Sequence, residues 1–340
     1  MKMRSAVLAG IGVIAIAIAL GIGLDLSNET AENTIRVAFF PNIGHAIPVV
    51  GMERGIFENN LGNTTIETKL FDSGPIVIES LFAKSIDLAY VGPGPAINGF
   101  LKSEKHDVVI LSGAASGGAS FIVHPNSQIN SVDDFEGKKI AAPQIGNTQD
   151  VSLRNYLSEN GLKPYEKGGT VVILNIANPD IYTLFTKNEI DAAWVPEPWA
   201  TILVQELDGK RLFHEEELWP ENKFASVLLI GRQKYIDAHP KVVESWLESH
   251  KQTVTWINNN PQETRIVFNE FMQNTVGQTL SDSVVDESLS NLEITTNSVN
   301  DSIYTFAQRA DSLGYLGRNG YSLDGIFFDL PSKESFEENK

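Results

Sequence analysis

Apolar residues along this chain fall into short continuous runs that alternate with stretches of helical spacing. Ile35 to Phe40 is a β-prone run broken by Pro41-Asn42, and Ala46 to Phe57 then follows a helical period that ends at Asn59-Asn60. A second strand is predicted from Thr65 to Phe71, stopping at Asp72-Ser73-Gly74. The helix Pro75 to Ala83 follows, with Pro75 suited to its first position because no N–H is needed there. Val108 to Ser112 reads as a buried strand opening into Gly113-Ala114-Ala115-Ser116-Gly117-Gly118-Ala119-Ser120. Such small residues either let the backbone approach a ligand closely or form a flexible crossover. Ser120 to His124 begins a new sheet, and residues 133–142 read as a short helix turning at Gly137 into a strand. Pro143 to Asp150 precedes a helical pattern carried by Val151, Leu153, Tyr156 and Leu157 and closed at Gly161. Val171 to Leu174 is a further strand, and the chain returns through the apolar run Phe224 to Ile230. Beyond Pro240 the pattern is helical: Val242 to Trp256, Pro261 to Gln273, Ser281 to Leu292, and Val299 to Leu313 closed by Gly314.

One phrase occurs twice. Leu81-Phe82-Ala83-Lys84-Ser85-Ile86-Asp87-Leu88-Ala89-Tyr90-Val91-Gly92-Pro93-Gly94-Pro95 is matched by Leu184-Phe185-Thr186-Lys187-Asn188-Glu189-Ile190-Asp191-Ala192-Ala193-Trp194-Val195-Pro196-Glu197-Pro198. Each copy reads as a helix end, a polar turn, a short buried strand and a stop at proline, which is one step of a parallel sheet. Two copies imply two similar lobes. Ligands of open α/β sheets bind beyond the carboxyl ends of the strands, so both Pro-rich loops, with Gly92 and Gly94 in the first and Glu197 in the second, fall where a ligand between facing lobes would be touched. For Tyr90 and Trp194, within the strands, core packing is the expected role; Phe40 and Trp199 are candidates for the pocket wall.

The N-terminus has a different character. Lys2 and Arg4 precede Ser5 to Leu24, a stretch without charge that Asp25 closes and that is long enough to span a bilayer. The small-x-small sites lie inside the apolar run, which favours an uncleaved anchor over a cleaved signal, with everything after Asp25 outside the cytoplasm. Residues 25–34 are polar and aperiodic, a tether. Asn28, Asn63 and Asn300 stand in Asn-x-Ser/Thr sequences, acceptors only if the host glycosylates exported proteins.

A chain of 340 residues, 42% hydrophobic, has material for two domains with full cores. It has no cysteine, which excludes disulfides, thiol chemistry and Cys-type metal sites. The net charge of −17, with no basic run longer than pairs such as Lys138-Lys139, argues against nucleic acid. No nucleophile elbow, His-Glu-x-x-His motif or phosphate loop is present, and His45, His106, His124, His214, His239 and His250 show no metal-ligand spacing, so neither an enzyme nor a resident metal or cofactor is expected. Helices starting after Ser73-Gly74 and Gly146-Asn147-Thr148-Gln149 would aim backbone N–H groups and positive dipole ends at the cleft, a site for a small oxyanion that needs neither Arg nor Lys. Ser116, Asn147 and Thr148 add neutral donors, although each is also an ordinary cap or turn residue.

Taken in order, these pieces resemble the substrate-binding proteins of ABC importers for sulfonates, taurine, nitrate and bicarbonate. The resemblance covers roughly Ile35 to Leu316. It rests on Ile35-Arg36-Val37 with Gly51-Met52-Glu53-Arg54-Gly55-Ile56-Phe57, Phe71-Asp72-Ser73-Gly74-Pro75, both Ile-Asp-x-Ala segments, Asp133-Asp134-Phe135-Glu136-Gly137-Lys138-Lys139 and Val195-Pro196-Glu197-Pro198-Trp199. It implies an α/β, two-lobed type II periplasmic-binding-protein fold, with two mixed or parallel sheets flanked by helices and a hinge of two crossover strands. The segments would be 1–24 signal or anchor, 25–34 tether, 35–118 and 228–330 the first lobe, 119–227 the second, and 331–340 a tail. The implied function is extracytoplasmic capture of a small organic anion by a monomer that docks on a membrane permease. Nitrate, bicarbonate or a thiamine-pyrimidine precursor are alternative ligands; a biosynthetic enzyme of the same fold or a ligand-presenting sensor are alternative roles. Asn42 and His45 match positions where the family contacts ligand. In the taurine-like branch an acidic residue at Glu197 faces the ligand's ammonium; the competing role for Glu197 is to cap a neighbouring helix.

Overall fold

The computed structural model describes residues 34–103, 107–317 and 320–329. The expected anchor, most of the tether, His106 and the tail lie outside them. Eleven strands and twelve α-helices are described: β1 (Thr34–Phe39), α1 (Ala46–Glu53), α2 (Ile56–Leu61), β2 (Thr65–Leu70), α3 (Gly74–Phe82), β3 (Leu88–Val91), α4 (Pro93–Lys102), β4 (Val108–Gly117), β5 (Ala119–Val123), β6 (Lys139–Ala142), α5 (Thr148–Glu159), β7 (Val172–Asn175), α6 (Asn178–Thr186), β8 (Ala192–Pro196), α7 (Trp199–Leu207), β9 (Lys210–His214), β10 (Ala225–Arg232), α8 (Gln233–Ala238), α9 (Pro240–Asn259), α10 (Pro261–Val276), α11 (Asp282–Ser290), β11 (Leu292–Ile294) and α12 (Asn300–Ser312).

The strands form two mixed sheets. The first has the order β11-β4-β10-β3-β1-β2, with β1 parallel to β2 and β3, and β10 antiparallel to β3 and β4. The second has the order β7-β6-β8-β5-β9, with β6 parallel to β7 and β8, and β5 antiparallel to β8 and β9. The chain leaves the first sheet at Gly117-Gly118, both in the left-handed region (φ +76° and +74°), and regains it at Ala225. A side chain at Gly118 would also collide with Leu292, so glycine is required there by space as well as by backbone.

The repeated phrase has a structural meaning in both sheets. Asp87 gives its N–H to the Arg36 carbonyl at the start of β1 and takes back the Arg36 N–H on its carboxylate at 3.0 Å. Asp191 does the same with Lys139 at the start of β6, at 2.8 Å each way. In each copy an aspartate clamps the parallel neighbour into register. The first clamp is far more buried: Asp87 also binds the Arg36 and Arg232 guanidiniums at 2.9 and 2.6 Å.

Three differences from the sequence reading have local causes. Ala46 to Phe57 is two helices, because Gly55 adopts φ +68° and ends the first. The Gly/Ala/Ser stretch after Ser112 continues β4 to Gly117; its small side chains admit the segment at Asn297, whose carbonyl would lie 2.0 Å from a Cβ on Gly113. The short edge strands β9 and β11 were not anticipated, since neither shows an alternation long enough to read. Tyr90 and Trp194 are fully buried in the cores of their sheets.

Behind the second sheet, Glu215 is fully buried and accepts from Ser152 Oγ (2.5 Å), Trp194 Nε1 (2.7 Å) and Trp219 Nε1 (3.3 Å). Burial pushes its pKa up from 4.5 to about 7, against the pull of those donors. The folded state therefore keeps a proton that the unfolded chain releases from about pH 4.5. This group's contribution is greatest at low pH and is lost as pH rises through 7, by about 2–3 kcal/mol between pH 5 and pH 8. His45 and His250 act in the opposite sense: burial lowers them from 6.5 to about 3 and about 4, so their cost appears as pH falls below 6.5. The Glu215→Gln variant should thus lose its stability more slowly than wild type between pH 5 and pH 8 in thermal melts. Parallel pH profiles would refute this.

Candidate functional site

Five loops stand at the carboxyl ends of parallel strands, and those after β2, β3 and β6 meet between the sheets. From the first sheet come Asn42–His45 after β1, Ser73-Gly74 after β2 and Gly92–Pro95 after β3; from the second come Pro143–Thr148 after β6 and Pro196–Pro198 after β8. Helices α3, α4 and α5 begin here, with Ser73, Gly92 and Asn147 at their N-caps. None of the three makes a side-chain cap, so the first-turn N–H groups keep their capacity to donate.

The two banks touch directly. Ser73 Oγ donates to Gln144 Oε1 at 2.5 Å instead of capping its own helix. A Cβ added at Gly92 would lie 2.8 Å from Thr148 Oγ1, and one at Gly94 would lie 3.3 Å from the Gly146 carbonyl. Glycine at both positions lets the loops close. Tyr315, after α12, donates across the cleft to Asp150 Oδ2 at 2.9 Å. The same carboxylate takes the Gly146 N–H (2.9 Å), Arg154 Nε (2.8 Å) and Asn175 Nδ2 (2.9 Å), so it sets the Gly146 loop (φ +74°) from beneath. At the rim, Pro75, Ile78, Phe82, Pro95, Ile145 and Tyr315 line a groove of about 220 Å³.

On the other side lies a charged cluster. Glu197, 2% exposed, follows β8 with a cis bond to Pro198. Its Oε2 accepts from the Thr201 N–H in the first turn of α7 (3.0 Å) and from Ser288 Oγ (3.2 Å), and its Oε1 from Asn291 Nδ2 (2.8 Å) and Arg211 Nη2 (3.3 Å). Both oxygens are thus committed to protein donors, and the helix-capping role is the one seen. Thr201, in α7 after β8, and Arg211, in β9, stand with the second sheet, whereas Ser288, in α11, and Asn291 precede β11 at the edge of the first. The carboxylate therefore joins elements beside both sheets. Arg211 Nη2 also lies 3.4 Å from Glu287, which in turn accepts from Gln205 at 2.6 Å.

The remaining expected residues are placed as follows. His45 is buried, accepts the Phe40 N–H on Nδ1 at 3.3 Å and packs on the Phe40 ring at 4.6 Å; its pKa of about 3 keeps it neutral. Asn42 beside it has a buried Oδ1 with no partner among the described residues. Ser116 is buried in β4 opposite Ala225 and Glu293. Gln149 is buried in the first turn of α5.

Sequence reasoning missed Arg211, Ser288, Asn291 and Tyr315, which meet the cleft only through the fold. It also missed Ser226, the residue skipped where the β10–β4 register shifts between Ala225 and Val227, whose buried Oγ has no partner among the described residues. A bulge beside a cleft is a common way to re-aim a side chain, but no local sequence signal marks this one. Among the described residues, no group of three His, Asp or Glu could hold a metal ion, and no helix is long and apolar enough to cross a membrane.

A family profile described as the NMT1-like family matches residues 28–270. A Brucella abortus (strain 2308) protein described as a candidate binding protein is 25% identical over 245 residues, covering 70% of this chain and 72% of that one. The taurine-binding periplasmic protein of Escherichia coli (strain K12) is 27% identical over 185 residues, 54% of this chain and 55% of its own length. Among solved structures, the alkanesulfonate-binding protein SsuA from Xanthomonas axonopodis pv. citri, bound to MOPS, superposes with a TM-score of 0.70 at 18% identity, covering 84% of this chain and 95% of that chain. That likeness establishes the periplasmic-binding-protein fold.

Proposed function

The chain belongs to the NMT1-like family, and on that premise we propose that it is an extracytoplasmic solute-binding protein of an ABC importer. It takes a small organic anion of the sulfonate class between its lobes and delivers it to a membrane permease, working as a monomer held at the membrane through residues 1–24. The observation that carries this reading is the meeting of three helix N-termini, after Ser73, Gly92 and Asn147, from both sides of one cleft. Backbone N–H groups there stabilise an oxyanion without a counter-ion, even in a protein of net charge −17, because the local field decides. Ser73, Gly74, Gly92, Gly94, Gly146, Asn147, Thr148 and Gln149 form the anion end; Asn42, His45 and Ser116 lie on the approach to it. Glu197 acts by joining the lobes.

A thermal-shift screen of the chain from Asp25 onward against taurine, alkanesulfonates, nitrate, bicarbonate and thiamine-pathway pyrimidines tests this. A ligand at 100 times its dissociation constant stabilises the fold by about 2.7 kcal/mol, so the sulfonate class should raise the melting point clearly above the others. A response to nitrate or to a pyrimidine alone would replace sulfonate as the ligand. Silence toward every anion would point to a different role.

A further inference from the structure

Asp150 is fully buried and stands third after the Asn147 cap of α5. A carboxylate in the first turn opposes an anion at the same helix N-terminus, so its charge has to be neutralised if an anion is to bind there. Its Oδ1 is met by Arg154 Nε of α5 and Asn175 Nδ2 of β7, at 2.8 and 2.9 Å, both from elements of the second sheet and its flanking helix. Its Oδ2 is met by two donors of different origin. One is the Gly146 N–H, from the loop before α5, and the other the Tyr315 hydroxyl, each at 2.9 Å.

Tyr315 is brought there from the other side. It packs against the apolar cluster that holds Ile97 of α4 with Phe306 and Ala310 of α12, and the end of α12 sets its direction. Gly314 adopts φ +83° and donates to the Asp311 carbonyl at 2.8 Å, while the Tyr315 N–H donates to the Ala310 carbonyl at 2.9 Å. This paired closure of a helix end fixes the residue after the glycine, here the tyrosine. Burial, with the Asp150 charge beside it, raises the pKa of the phenol, so it stays a donor. Val151, next to Asp150, enters the same cluster and adds apolar contact without direction. Among the described residues, Tyr315–Asp150 and Ser73–Gln144 are the side-chain hydrogen bonds that join the loop and helix after β6 to elements beside the first sheet.

We propose that Tyr315 is a positioning residue of the anion site, a latch that reaches Asp150 only when the loop before α5 is seated against α4 and α12, and that holds the cleft closed without solute. This rests on the solute-binding reading above and deepens it. With the latch made, Oδ2 is doubly hydrogen-bonded and the Gly146 N–H is held in place. With it broken, the carboxylate is less satisfied and competes with an oxyanion for the first-turn N–H groups. Closure and anion binding therefore favour each other.

The chain has no cysteine, so spin labels attached through Ile76→Cys in α3 and Ser158→Cys in α5, both at exposed positions, report the distance between the two sides in the full chain. Without solute, this labelled parent should show one short distance. Tyr315→Phe removes only the hydroxyl; it should add a longer distance and raise the open-to-closed ratio by about tenfold or more, the scale of one hydrogen bond to a charged group. A parent already open, or a variant with unchanged distances, overturns the latch. So does a lower urea midpoint without the longer distance, which makes the bond merely structural. Tyr315→Phe should also speed the dissociation of bound 2-aminoethanesulfonate or ethanesulfonate by about tenfold or more. Unchanged rates overturn the coupling to the anion site. If the parent binds neither solute and Tyr315→Phe still opens it, the solute-binding reading falls and takes the anion-site role with it, while the latch itself stands. Should Tyr315→Phe melt far below the parent, Gly314→Ala decides, because it keeps the phenol and strains the turn that aims it. A longer distance then supports the latch, and unchanged distances refute it.

Discussion

Asp87→Ala is expected to cost about 3–5 kcal/mol of folding stability, the penalty for breaking a buried ion pair and leaving its partner behind. The side chain of Asp87 is fully buried. It accepts from the Arg36 backbone N–H, from Arg36 Nε and Nη2, and from Arg232 Nη2. Arg232 is itself buried and would be left with the Ile86 carbonyl as its other acceptor. The duplicated phrase supplies an internal control. Asp191 makes the same backbone clamp, but its side chain is 30% exposed and its nearest cation, Lys138, stands 3.9 Å away. Asp191→Ala should therefore cost only about 1 kcal/mol. Urea unfolding of the two variants measures the contrast, and equal losses would mean that the backbone clamp, not the arginine pair, carries the energy.

Glu197→Ala should have a comparable total cost, about 3–5 kcal/mol by the same argument, but with a different consequence. Its four donors come from both lobes, so the loss falls on the coupling between them as well as on the second lobe. Arg211 retains Glu287, whose side chain is 35% exposed, a weaker and better-solvated partner. The variant should show a larger radius of gyration in small-angle scattering and a uniform loss of affinity for anionic ligands, aminated or not. A double-mutant cycle with Asn291→Ala should give a coupling of about 0.5–3 kcal/mol, since the two side chains share a 2.8 Å hydrogen bond across the lobes. Coupling near zero, with unchanged scattering, would confine Glu197 to capping α7.

Much of the scaffold was legible in the order of residues because its elements are set locally. The apolar run Ile35 to Phe40, the Pro-started α3 and the Ile-Asp segments all declare themselves within a few positions, and the repeat foretold one parallel strand step in each of two sheets, β3 beside β1 and β8 beside β6. The glycine-started loops could also be placed, since strand ends in parallel sheets converge by topology. What could not be read was whatever depends on distant partners. Arg211 lies in a five-residue edge strand with no motif, and its pairing with Glu197 and Glu287 spans 14 and 76 positions. Tyr315 reaches Asp150 across 165. Glu197 could be recognised as special from its two flanking prolines, yet whether its oxygens face a ligand or the protein depended on where α11 packs.

The direct contact of Ser73 with Gln144, and of Gly92 with Thr148, has a kinetic side. A receptor whose jaws meet has an entrance that must first part. Uptake then runs through a minor open population, and the apparent dissociation constant is the intrinsic one divided by the fraction open. At high solute concentration the capture rate reaches a plateau equal to the opening rate. The few hydrogen bonds that fasten the jaws thus act as a throttle, exchanging speed of capture for retention of what has been captured.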